Sequence, residues 1–264
     1  MKIFKKVVNS KNKLKRKPLS NTEQDLIVKA NTISNKINVW LGNKIHENIS
    51  FGENCTTSTY LKKTSNKNAS YPFDWIFSSP EIILHALKDD FKLFLDKDQI
   101  FQVTQNKAGH QFYHSKMFNH RSPLKSDEDY NYYERAVNRL KLVLETQKHS
   151  VFVITIIKEP EKRLDWSNGF DKKIDQPVNQ SLESFKPLVS YIKQVNPNSK
   201  FLFLSQVSEG KPYINLDYID DTVIWVDFIS QGACSGTKYR DIVDDTIAKI
   251  IFQGLYNKPL KQII

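Results

Sequence analysis

The chain has 264 residues, 39% hydrophobic and 26% charged, a balance that excludes disordered, collagen-like and coiled-coil chains. No run approaches the roughly eighteen apolar residues of a membrane-spanning helix, and the basic start MKIFKKVVNSKNKLKRKP lacks the apolar stretch of a secretory signal. Two cysteines, Cys55 and Cys234, are too few for a disulfide framework, so a reducing, cytoplasmic compartment is expected.

The formal charge of +10 sits mostly at one end. Residues 1–17 hold eight basic side chains and no acid, whereas the rest holds 31 basic and 29 acidic residues. The first composition shift, near Leu19, divides a basic arm (residues 1–19) from one α/β domain (residues 20–264). Such an arm is a solvated tail or a contact for an anionic partner such as nucleic acid or lipid. The body is nearly neutral and makes no electrostatic case for nucleic-acid binding.

Weak periodicity predicts a short helix around Glu23–Ala30. Val39–Leu41 and Ile49–Gly52 follow as short apolar pieces, read as a strand pair or one interrupted strand. Ile49-Ser50-Phe51-Gly52-Glu53-Asn54-Cys55 then runs through a glycine turn into a predicted helix, TTSTYLKK. A thiol at that junction meets the free N–H groups and positive end of the helix, which favour thiolate and can hold an oxyanion. Alternatively Cys55 is a small buried side chain ending a strand.

Ser70-Tyr71-Pro72-Phe73-Asp74-Trp75 reads as an aromatic plug locking a loop to a core. Its one carboxylate caps the next segment, orients a histidine or binds a polar substrate. Ser79-Pro80-Glu81 supplies the N-cap, first-turn proline and early acid of a helix through IILHALKDDFKLFL. Ile100–His120 reads as a hairpin or extended excursion, turning at Asn106–Gly109. An extended second arm would put His110, His114 and His120 on one face by the two-residue period. Residues i and i+4 of a strand lie roughly 13 Å apart, so a shared metal requires the segment to bend. Neither a metal nor a cofactor is expected.

The second half is the clearest. Helical stripes at Tyr133–Leu144, Phe185–Ile192 and Tyr239–Ile251 alternate with the runs VFVITII, FLFLSQV and VIWVDF. Continuous β-branched and aromatic runs are strands buried on both faces. The expected fold is α/β: a mostly parallel, Rossmann-like three-layer sheet with a hairpin excursion around 100–120. Gly232-Ala233-Cys234-Ser235-Gly236 reads as a glycine turn with a filler cysteine. In a parallel sheet it would share the carboxyl edge with Cys55, where such folds bind ligands. No Walker or GxGxxG pattern occurs. No histidine follows His149, which excludes a serine hydrolase with a C-terminal Asp/His pair.

Taken together, SFGENC, YPFDW, the Met117-Phe118-Asn119-His120 segment and the arginine-bearing helix YERAVNRLKLVLE resemble the family labelled putative papain-like cysteine peptidases, over about Ile49–Leu144. The resemblance implies a Cys–His nucleophilic pair, mapping onto Cys55 and His120, with Asp74 of YPFDW as the third member. The expected function is a cysteine-dependent hydrolase or acyltransferase acting on a peptide, amide or ester. Its rival is a non-catalytic binding or carbohydrate-related accessory protein with an aromatic pocket of Phe73, Trp75 and His114. The discriminating residue is Cys55, which an enzyme needs ionised and accessible and a binding module can keep buried.

Overall fold

A computed structural model describes residues 18–42, 44, 46–157, 180–207, 210–229 and 232–256. The basic arm, apart from Pro18 and Leu19, lies outside them. Helix α1 (Asn21–Leu41) opens on a capping box between Ser20 and Glu23 and buries one stripe, Leu26, Ala30, Ile33, Ile37 and Leu41. That stripe carries the helix through Val39–Leu41, where local β propensity suggests a strand. The Trp40 indole N–H, donating to the Asp221 carbonyl at 3.0 Å, fixes this end.

Strand β1 (Glu47–Ser50) leads into helix α2 (Thr56–Lys63). The helix predicted from Pro80 divides into α3 (Pro80–Lys88) and α4 (Lys92–Leu95). Asp90 and Phe91, at φ 55° and 60°, reverse the backbone between them and sink the Phe91 ring against Phe73 and Phe94. Core packing overrides the helical pattern there.

Strands β2 (Ile100–Thr104) and β3 (Lys107–His110) form the expected antiparallel hairpin, but the chain turns at 105–106 and the stretch read as the turn, Asn106–Gly109, mostly belongs to the second strand. The extended second arm ends at His110. The chain turns there, with the His110 N–H donating to the His114 carbonyl at 2.9 Å, and Phe118 pairs back onto Ala108. The three histidines therefore do not share a face.

Helix α5 (Asp127–Glu145), strand β4 (Ser150–Ile157), helix α6 (Leu182–Val195) and strand β5 (Ser199–Val207) follow, then β6 (Tyr213–Asp220), β7 (Val223–Ile229) and helix α7 (Ile242–Gln253). The main sheet has the order β1-β4-β5-β7-β6, parallel except for β6. Phe152 pairs with Phe201, and Phe203 with Trp225. Phe152, Ile154, Phe201, Phe203 and Trp225 face the core shared with α3, α5 and α6. Val151, Val153, Leu202, Leu204 and Val226 face the one shared with α1 and α7. The period of two thus splits each apolar run between two helical layers, the expected three-layer α/β fold. Edge strand β6 went unpredicted, since most of its residues are exposed and YINLDYID carries no continuous apolar run. Tyr239 is buried but precedes the last helix, which Asp241 caps by accepting from the Val243 and Asp244 N–H groups.

Gly52, in the turn from β1 to α2, sits where a Cβ would lie 2.1 Å from Thr57 Oγ1. Thr57 is itself held by the Thr155 hydroxyl at 2.8 Å and the Thr155 N–H at 3.1 Å, so it has no easy retreat. Gly52→Ala is expected to cost about 1–3 kcal/mol by overpacking, read as a lower urea midpoint at unchanged slope.

Candidate active site

Helix α2 brings the expected thiol to the carboxyl edge of the sheet. Asn54 Oδ1 accepts the Thr56 N–H at 2.9 Å, taking up one free donor of the first turn. Cys55 occupies the N-cap position without a side-chain capping bond. Lys62 and Lys63 in the last turn complement the helix dipole.

Cys55 is 2% exposed. Burial, and then the Asp74 carboxylate, push its thiol up to about 12. The expected thiolate is therefore absent at rest: withdrawal from water outweighs the favourable end of a two-turn helix.

Cys55 and His120 line the same cavity, of about 490 Å³, together with Phe77, Lys107, Lys116 and the Ser235–Thr237 loop. His120 is exposed at its rim. The walls still strip enough water from the imidazole to lower its pKa, and the Lys107 charge lowers it further. The ring stands edge-on to Trp75, centroids 6.5 Å apart. A second cavity of about 670 Å³, with Lys62, Trp75 and Tyr132 in its wall, also includes His120 and Thr237. These two residues form a partition common to both spaces.

Asp74 is bonded to partners other than His120. It is fully buried, accepts from the Ser58 hydroxyl at 2.6 Å and the Tyr71 N–H at 2.7 Å, and pairs with Lys67. None of these bonds reaches the imidazole. The carboxylate ties α2 to the YPFDW loop, as the plug reading of that loop expects. Phe73 packs in the core against Phe51, Phe91 and Phe94. His114 is buried against Phe77, whereas Trp75 of the expected aromatic pocket borders a cavity.

His110 and His114 hold the fold. His110 Nε2 lies 2.9 Å from the Leu93 carbonyl, and its Nδ1 accepts from the Phe112 and Tyr113 N–H groups. His114 Nδ1 accepts the Lys116 N–H at 2.9 Å. Although the segment bends, no group of three or more His, Cys, Asp or Glu among the described residues is placed to hold a metal ion.

Cys234 reaches the same helix terminus as Cys55, its sulfur 3.3 Å from Thr56 Oγ1. It is buried, and burial raises its thiol pKa. The loop around it is latched to α2, since the Tyr239 N–H donates to the Tyr60 hydroxyl at 3.1 Å and that hydroxyl donates to Asp245 at 2.8 Å. The meeting of Thr56 with Cys234, 178 positions apart, and the lysines of the cavity wall left no local signature in the sequence.

No curated protein and no solved structure matches the chain. The described residues include no helix long and apolar enough to cross a membrane. Residues 46–166 match the model of a family described as "putative papain-like cysteine peptidase", and that stretch holds Cys55, Asp74 and His120. It is to this family that the chain is similar over that stretch.

Proposed function

We propose that the chain is a cysteine-dependent hydrolase or acyltransferase in which Cys55 attacks the carbonyl carbon of a peptide, amide or ester and His120 manages the proton. The observation carrying this reading is that Cys55 and His120 line one cavity at the carboxyl edge of a parallel sheet, the edge where such sheets bind ligands. The resting pair is neutral: the thiol is protonated and the imidazole, with its lowered pKa, is a free base. His120 therefore works by general-base catalysis, taking the thiol proton as sulfur bonds to carbon and returning it to the leaving group. The α2 dipole favours the charge developing on sulfur. Water then hydrolyses the thioester, or a second nucleophile takes the acyl group. Asp74 supports this chemistry indirectly, by fixing α2 beneath the thiol.

Cys55→Ser should reduce turnover of an activated ester by at least about 10³-fold, and His120→Ala by about 10²–10⁴-fold, with both folds intact by circular dichroism. One observation favours the binding-module reading, namely the 2% exposure of Cys55. Under that reading neither substitution changes a background rate. Equal rates for wild type and Cys55→Ser would therefore replace the enzyme with the binding module.

A further inference from the structure

The two cavities that meet at His120 and Thr237 have a lopsided charge. Among the described residues no carboxylate side chain lines either of them, while Lys107 and Lys116 line the thiol cavity and Lys62, Lys67 and Arg121 the adjoining one. Two of these cations are already matched, Lys67 by Asp74 and Arg121 by Asp129 at 3.3 Å. Lys62, Lys107 and Lys116 form no ion pair among the described residues. Three ammonium groups without an ion-pair partner among the described residues thus flank the space that holds the thiol and the imidazole, in a body whose basic and acidic residues nearly balance.

The walls add shape to this charge. Trp75 and Tyr132 give the adjoining cavity flat apolar surfaces. Val103 and Thr104, from the exposed strand β2, border the thiol cavity. Among the described residues β2 pairs only with β3, which leaves its outer edge to receive an extended backbone. Each space has room for a few side chains, and a charge-lined cleft focuses its field on a ligand of opposite sign.

We propose that the paired cavities bind an extended acidic peptide, with glutamate or aspartate side chains on both sides of the residue presented to Cys55. The peptide class rests on the hydrolase reading, because the acyl transfer proposed for Cys55 needs a peptide, amide or ester carbonyl, which a phosphodiester backbone does not offer. The charge preference rests on the lysines alone.

The test measures binding apart from turnover. Cys55→Ser protein, full chain, is titrated calorimetrically with acetyl-Glu-Glu-Ala-Phe-Glu-Glu-amide and with its counterpart carrying lysine at the four glutamate positions. The acidic peptide should bind at least about tenfold more tightly at low salt, with the margin shrinking as salt rises. Lys107→Gln/Lys116→Gln should weaken it about fivefold or more and flatten the salt dependence, whereas Lys29→Gln, on α1, should not. Equal affinity for the two peptides, or an unchanged affinity in the double variant, overturns the proposal. So does displacement by a thymidine hexanucleotide that binds more tightly than the peptide. Binding of the acidic peptide without its cleavage by wild-type protein would remove the hydrolase and leave this charge preference standing. Cleavage confined to basic or neutral peptides would do the reverse.

Discussion

Iodoacetamide should alkylate Cys55 about a thousandfold more slowly at neutral pH than it alkylates an ordinary exposed thiol. The thiol is pushed from 9.0 up to about 12, and each pKa unit above ambient pH removes about tenfold of the reactive thiolate. The sign is that of a raised acid: the protonated form persists through neutral pH and is lost only as pH passes the raised value. The rate should therefore keep climbing beyond the range in which a free thiol has levelled off. Peptide mapping separates the Cys55 product from that of Cys234, which burial also holds protonated. His120→Ala should leave this resting rate nearly unchanged, because a neutral imidazole already faces a neutral thiol. Unfolding in urea should restore the ordinary rate. Fast alkylation that levels off below pH 8 would mean that an ion pair exists at rest, and general-base activation would be wrong.

Asp74→Ala should lower stability by about 3–5 kcal/mol, the usual cost of removing one partner of a buried ion pair. Lys67 would keep a largely buried ammonium without its carboxylate, while the Ser58 hydroxyl and Tyr71 N–H would lose their acceptor. Burial drives both members of the pair toward their neutral forms, raising Asp74 and lowering Lys67. Asp74→Leu combined with Lys67→Met should accordingly recover part of the loss. Urea midpoints report the three variants. A midpoint for Asp74→Ala within about 0.5 kcal/mol of wild type, together with a collapse of turnover, would instead assign Asp74 to the chemistry.

The sequence makes the sheet legible because buried parallel strands are written as unbroken apolar runs. Residues 151–157, 201–207 and 223–228 could hardly be anything else. The edges are harder to read, since β6 is mostly exposed and resembles a loop. At residues 89–91, a left-handed turn that serves the core defeats a good helical pattern. Cys55 and its helix junction were visible through the strand, glycine and helix order. The partner of Asp74 was not, because a lysine seven residues away carries no local mark of burial. The thiol's raised pKa was invisible for the same reason: helix position is a local property, whereas desolvation belongs to the packed whole.

The latch between Tyr60, Tyr239 and Asp245 has a consequence for biosynthesis. The cavity shared by Cys55 and His120 has Ser235–Thr237 as one wall, and these residues are held near α2 by that late-made contact and by the Cys234–Thr56 contact. The matched family segment, residues 46–166, supplies the sulfur and the imidazole but not this wall. A ribosome therefore releases Cys55 and His120 long before the compartment around them can close. Until the loop preceding α7 emerges and docks, a growing chain carries an unfinished site, and any activity would begin only once nearly the whole α/β sheet is in place.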